Sequence, residues 1–163
     1  MSLTISSMSA VKPVKPGRYV AQFDASWFKG PGACGGLVFA ALANAFKAAQ
    51  DSEDRQLRSL SVQLCAPAPQ GPLSIEVETV RSGKRICHMR ALMKSEKETI
   101  AIASAVMGSD RPNSYDFNEF KMPEVTKPED CLRLPALPAD IAYIQHLDVR
   151  PCWGGPPMSG HEG

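Results

Sequence analysis

The chain has no excess of charge of either sign, because 18 lysines and arginines stand against 17 aspartates and glutamates, a formal net charge of +1. A protein that binds nucleic acids through their phosphates needs a clustered excess of basic side chains, so general nucleic-acid binding is excluded. The chain also lacks the run of about 18 apolar residues that a membrane-spanning helix requires. Its N-terminal residues lack the apolar segment of a secretory signal peptide, and we expect a cytoplasmic protein that does not bind membranes.

Paired cysteine and histidine motifs are missing as well. The five cysteines (Cys34, Cys65, Cys87, Cys131 and Cys152) form no CxxC pair, and the three histidines form no HxxxH motif. A disulfide framework or a zinc site would need closer, paired spacing. We therefore expect no metal and no cofactor, with the cysteines acting as small apolar fillers or surface thiols.

Proline placement divides the chain. Eight of the 14 prolines follow residue 110, where the apolar periodicity also fades. The pattern predicts an N-terminal arm over residues 1–16, one folded domain over 17–110 and a proline-rich linker over 111–140.

One segment of the domain has the length and composition of a buried helix. Residues 33–50 follow the breaker Gly30-Pro31-Gly32 and are apolar all round, except for a narrow stripe marked by Asn44, Lys47 and Asp51. A helix of this kind is surrounded by protein on most sides.

The remaining periodic segments alternate as β-strands do. Strands are predicted over 18–23, 57–66, 73–81, 85–93 and 98–107, with a hairpin turn at Ser82 and Gly83. One long helix among five strands predicts an α+β fold of the hotdog type, in which an antiparallel sheet wraps around a central helix. A single sheet of this kind leaves an edge strand uncovered, and we expect a homodimer.

Several stretches carry a resemblance to a known family: Trp27, Gly30 and Pro31, Gly35 and Gly36, and residues 61–67, 71–84 and 101–107. In this order and spacing they resemble the acyl-CoA thioesterase II family, whose members have two hotdog repeats in one chain. The resemblance implies an acyl-CoA substrate and a reaction without cofactor.

The resemblance also assigns this chain to the N-terminal repeat of a double-hotdog protein. Residues 142–150 resemble the first strand of a second hotdog, and Gly155 and Pro156 echo Gly30 and Pro31. We therefore expect residues 141–163 to be the first strand of an incomplete second repeat, and the chain to be a fragment or a natural relic of a longer protein.

The family carries its catalytic Asp, Thr or Ser, and Gln chiefly in the second repeat. At the matching positions this chain has Gly36 or Leu37, Leu57 and Met107, none of which can transfer a proton. The resemblance thus leaves open whether this chain hydrolyses acyl-CoA, or is a non-catalytic half that binds acyl-CoA and dimerises.

The residues themselves offer candidate sites. Gly35 and Gly36, at the start of the helix, could present backbone N–H groups to a thioester carbonyl as an oxyanion hole, or could only allow close packing. Asn44 lies on the helix on which single-repeat hotdog thioesterases, which the chain resembles, carry a carboxylate that activates water. An amide cannot accept a proton, and a surface or dimer-facing role is the alternative.

Basic side chains cluster at the predicted hairpin. Arg81, Lys84 and Arg85 could bind the phosphates of coenzyme A or could be solvated turn charges.

Overall fold

A computed structural model describes residues 4–112, 115, 117–134, 141–153 and 160 of the chain. Within these residues the strands are β1 (Lys12–Lys15), β2 (Arg18–Phe23), β3 (Phe28–Lys29), β4 (Gly32–Ala33), β5 (Arg55–Leu64), β6 (Gly71–Ser82), β7 (Ile86–Lys94) and β8 (Thr99–Ser109). The helices are α1 (Ile5–Met8) and α2 (Gly35–Ala49), with 3-10 helices at Ala25–Trp27, Pro128–Asp130 and Ala142–His146. No helix among the described residues is long and apolar enough to cross a membrane.

Six strands form one antiparallel sheet in the order β1-β2-β6-β7-β8-β5. The strands β6, β7 and β8 follow one another as hairpins, as the alternating pattern predicts. The strand β5 precedes β6 in the sequence but pairs with β8, and it lies at one edge of the sheet. The predicted α+β hotdog architecture is confirmed.

The helix α2 lies in the hydrophobic core. Its side chains Leu37, Leu42 and Phe46 are fully buried, and they belong to one cluster with apolar side chains from the inner face of the sheet. Burying a side chain of this size stabilises a fold by roughly 1.5–3 kcal/mol. The helix predicted over 33–50 is thus confirmed, although it begins two residues later and ends one residue earlier.

Val80 interrupts the alternation of β6 for a structural reason. The pairing of β6 with β7 shifts register between Thr79 and Arg81, which marks a β-bulge. A bulge adds one unpaired residue and turns its side chain out of the alternating order. The side chain of Val80 is accordingly 60% exposed.

Residues 4–16 form a helix and a strand that the sequence does not predict. The strand β1 pairs with β2 and adds a sixth strand to the sheet. Met8 and Val11, which flank the end of α1, pack against the core cluster. The strand β1 lacks the alternation of a half-buried strand, because all four of its residues are exposed.

The prediction of a strand over residues 142–150 is wrong. Ala142–His146 form a 3-10 helix that contacts the 3-10 helix Ala25–Trp27 and β3. A strand needs a neighbouring strand for its backbone hydrogen bonds, whereas this turn makes its own, including Leu147 N–H to the Ile144 carbonyl at 2.9 Å. The predicted echo at Gly155 and Pro156 lies outside the described residues.

A buried arginine fastens the C-terminal end of α2 to the sheet. Arg55 is only 6% exposed, and its Nη1 lies 2.5 Å from the Asp51 carboxylate and 3.3 Å from Ser82 Oγ. Its Nη2 donates to the carbonyl of Gly83 in the β6–β7 hairpin. These contacts fix the end of the helix against the hairpin.

We expect Arg55→Met to destabilise the protein by about 2 kcal/mol, because the half-buried carbonyl of Gly83 loses a charged donor. The free energy of unfolding, measured by urea titration, checks this. Arg90→Met is the control, because Arg90 pairs with Glu78 on the exposed face of the sheet and such pairs contribute less than about 1 kcal/mol. Equal losses in the two variants would contradict the role of Arg55.

Candidate functional site

A cleft of about 490 Å³ opens at the N-terminal end of α2. Its floor is the start of the helix, with Gly35, Gly36 and Leu37, and Trp27 forms one side. Further walls come from Ile5 near the N-terminus and from Tyr143 and Leu147 near the C-terminus. The lining is mostly apolar, so the cleft suits an apolar ligand with one polar group near the helix.

The helix presents free hydrogen-bond donors to this cleft. The N-cap residue is Cys34, and its side chain makes no capping hydrogen bond. The N–H of Leu37 donates to the Cys34 carbonyl at 3.0 Å, but within the described part of the chain no acceptor lies on the N–H groups of Gly35 and Gly36. Two unpaired donors thus coincide with the positive end of the helix dipole, a combination that favours an anionic or carbonyl oxygen.

The two glycines differ in their surroundings. A Cβ on Gly35 would lie 3.2 Å from Leu64 Cδ1, whereas a Cβ on Gly36 would meet no atom within 4 Å. Close packing therefore accounts for Gly35. At Gly36 packing demands no glycine, and the absence of a side chain leaves the backbone open to a ligand.

A tight hairpin positions the start of α2. The turn between β3 and β4 uses Gly30 at φ +59°, and a Cβ on Gly32 would lie 2.9 Å from the backbone nitrogen of Ala68. The N–H of Cys34 then donates to the Trp27 carbonyl at 3.0 Å. The Gly30-Pro31-Gly32 breaker thus brings Trp27 beside the first turn of the helix.

No carboxylate lines the cleft in the part of the chain that the structure describes. Among its lining residues the ionisable side chains are Lys29, Cys34 and Tyr143. No group of three or more metal-ligating side chains comes together in the described ranges. The lining can therefore bind an apolar group and polarise a carbonyl, but it contains no carboxylate or imidazole to take a proton from water.

Asn44 is not part of this site. It lies about two helical turns beyond Gly36, where its Nδ2 donates to the carbonyl of Ser9 at 2.9 Å and to Ser9 Oγ at 3.1 Å. Ser9 is buried at 4% exposure. Asn44 thus holds the N-terminal arm to the helix, which differs from both roles expected from the sequence.

The basic cluster lies at the other end of the helix. Arg81, Lys84 and Arg85 line a separate pocket of about 400 Å³ with His88 and Arg111. Arg55 ties this hairpin to the C-terminal end of α2, and a 15-residue helix is about 22 Å long. The structure therefore does not bring the basic cluster to the glycines.

A polar contact beside the cleft has no clear sequence signal. His146 Nε2 lies 3.0 Å from Ser26 Oγ, and the His146 ring stacks on Trp27 with centroids 4.4 Å apart. Asp24 caps the short helix that carries Ser26, accepting from the Ser26 N–H at 2.9 Å. Hydrogen bonds from Ser26, with a smaller contribution from His146, hold the pKa of the Asp24 carboxyl below its usual value.

The fold and the cleft define a hotdog protein. Residues 23–108 match the family model of the acyl-CoA thioesterase N-terminal domain, and the chain belongs to this family. No curated protein matches the sequence.

Solved structures show the same architecture. A conserved protein of unknown function with a hotdog fold from Alicyclobacillus acidocaldarius is 29% identical, with a TM-score of 0.72 over 86% of this chain and 52% of its own. An acyl-CoA thioesterase II from Mycobacterium marinum is 19% identical, with a TM-score of 0.66 over 80% of this chain and 48% of its own. The Escherichia coli PaaI protein of the phenylacetic acid degradation operon is 16% identical, with a TM-score of 0.55 over 63% of this chain and 79% of its own. The chain thus spans about half the length of the first two proteins.

The free donors yield a prediction about stability. Cys34→Ser places a hydroxyl where it can accept from the first turn of α2, whereas Cys34→Ala cannot. We expect the serine variant to be more stable than the alanine variant by about 1 kcal/mol, measured by urea titration. Equal stability would mean that the donors are already satisfied in the folded protein.

Proposed function

We propose that this chain binds an acyl-CoA thioester in the cleft at the start of α2 and takes part in its hydrolysis. The supporting observation is the pair of free N–H groups on Gly35 and Gly36 at the floor of an apolar cleft. The membership of the acyl-CoA thioesterase family supports the choice of ligand. The acyl chain would lie against Leu37, Ile5 and Leu147, and the carbonyl oxygen would face the glycines.

The chemistry follows from where charge develops. Water attacks the carbonyl carbon, and the carbonyl oxygen becomes an oxyanion that accepts from the two glycine N–H groups. The C–S bond then breaks, the thiolate of coenzyme A leaves, and the proton from water ends on that sulfur. The reaction consumes one water and needs neither metal nor redox cofactor.

Among the described residues that line the cleft, none is a carboxylate or an imidazole, so we propose that a second hotdog supplies the proton acceptor. Two of the positions that match the family's polar residues hold apolar side chains, with Leu57 39% exposed on β5 and Met107 buried on β8. A second hotdog, either another copy or a further repeat, would have to place a carboxylate near Gly36.

The same observation supports a second candidate function. Without a proton acceptor the chain would be a non-catalytic half, which binds acyl-CoA and completes an assembly. The two candidates differ in turnover but share the binding site.

We expect Gly36→Val to lower kcat/KM for acyl-CoA hydrolysis by about a hundredfold, because the valine side chain occupies the open space beside the N–H groups of Gly35 and Gly36. Release of free thiol from a panel of acyl-CoAs measures the activity. Ala48→Val, which places the same side chain at the exposed far end of α2, is the control and should leave kcat/KM unchanged.

Binding separates the two candidate functions. S-alkyl-CoA thioethers cannot be hydrolysed, so calorimetry with them reports binding alone. Binding that Gly36→Val abolishes, without thiol release by the wild type, would establish the non-catalytic function. A wild-type protein that neither binds nor hydrolyses would contradict both.

We also propose that the chain forms a homodimer through β5. This ten-residue strand has one neighbour, β8, in the described part of the sheet, and unpaired edges promote association. The partly exposed Phe39 on α2 offers further apolar surface. In such a dimer the basic cluster of one copy could approach the phosphates of a ligand in the other.

We expect light scattering at micromolar concentration to give a dimer, and Ser61→Glu to shift it to a monomer. Ser61 is an exposed residue near the middle of β5, so a two-fold axis there would bring the two added charges close together. Ser104→Glu is the control, because Ser104 pairs with Ser61 but lies one strand further from the edge. A wild-type monomer would contradict the proposal.

A further inference from the structure

Part of the cleft is built by residues outside the family domain. The family model matches residues 23–108, yet Ile5, Tyr143 and Leu147 all line the cleft. Tyr143 and Leu147 lie on the segment 142–147, which packs on the 3-10 helix Ala25–Trp27 and on β3. This segment is therefore an added wall of the site.

His146 holds that wall in place. Its ring stacks on Trp27 with an interplanar angle of 4°, and its Nε2 lies 3.0 Å from Ser26 Oγ. The backbone of the segment is satisfied internally, by hydrogen bonds such as Ile144 N–H to the Ile141 carbonyl at 3.2 Å. The wall is thus a self-bonded turn, whose His146 ring stacks on Trp27 and whose Tyr143 packs against the core cluster.

Trp27 contacts both His146 and the cleft. Its indole is 3% exposed and lines the cleft, while it also stacks with His146. Its Nε1 is buried and has no hydrogen-bond partner among the described residues. A shift of His146 would therefore change how far Tyr143 and Leu147 lie from Gly36.

We propose that Tyr143 and Leu147 determine the length of the acyl chain that the cleft accepts, and that His146 is the positioning residue that holds them there. The proposal rests on the proposed function, since it assigns the selectivity of the same cleft. An apolar pocket discriminates each added or missing methylene by roughly 10-fold or more, so two wall residues are enough to set a preference.

The test measures binding of S-alkyl-CoA thioethers with chains from two to twelve carbons by calorimetry. Tyr143→Ala and Leu147→Ala each enlarge the cleft, and the ratio of affinities for the longest and shortest chains should rise at least 10-fold. Leu132→Ala is the matched control, because Leu132 is an exposed side chain of the same C-terminal region. Gly36→Val should remove binding of all chain lengths.

The role of His146 is tested by Trp27 fluorescence together with the chain-length profile. The Trp153→Phe background leaves Trp27 as the one remaining tryptophan of the two. His146→Ala should change the Trp27 emission and move the chain-length profile toward that of Leu147→Ala. His146→Phe keeps a stacked ring, so its emission and its profile should both lie close to those of the wild type. Leu132→Ala, at an exposed position of the C-terminal region, should change neither.

The outcomes separate this inference from the proposed function. If Gly36→Val removes binding while Tyr143→Ala and Leu147→Ala leave the chain-length profile unchanged, the cleft binds the ligand but the wall does not determine the preferred chain length. An unchanged Trp27 emission in His146→Ala would contradict the positioning role of His146. A wild type that binds no thioether would overturn both the function and the inference.

Discussion

The burial of α2 against the inner face of the sheet is the constraint on which the rest of the structure depends. A helix that is apolar on nearly every side cannot remain in water, and burying Leu37, Leu42 and Phe46 requires a sheet that curls around them. The β3–β4 hairpin and the Arg55 contacts then fix the two ends of the helix. The start of α2 is therefore a rigid place, which a binding site requires.

The first turn of α2, which lines the cleft, lacks features that would stabilise the helix. Cys34 leaves the helix without a side-chain cap, and glycines follow at the first two helical positions. In a helix interior each glycine would cost up to about 1 kcal/mol relative to alanine, and a missing cap costs a similar amount. Uncapped donors and an open approach at Gly36 are what a carbonyl ligand needs. The local loss of stability and the proposed function thus have the same cause.

The fold could be predicted from sequence because its signals are local. The apolar helix, the alternating strands and the turn at Gly83 each depend on neighbouring residues. The candidate site could be predicted only at Gly35 and Gly36, since its walls come from distant segments. The contact between Ser26 and His146 joins residues 120 positions apart. The family resemblance of residues 142–150 predicted a strand, but no neighbouring strand pairs with them in the described structure, and a self-bonded turn forms instead.

The amide proton of Gly36 tests the central claim most directly. An acyl-CoA analogue in which a methylene replaces the sulfur keeps the carbonyl and cannot be hydrolysed, whereas an S-alkyl-CoA thioether has no carbonyl. In nitrogen-15 glycine-labelled protein, the carbonyl analogue should shift the Gly36 amide proton downfield, as a new hydrogen bond does, and the thioether should not. Equal shifts with both ligands, or a shift confined to other glycines, would contradict binding of the carbonyl at the start of α2.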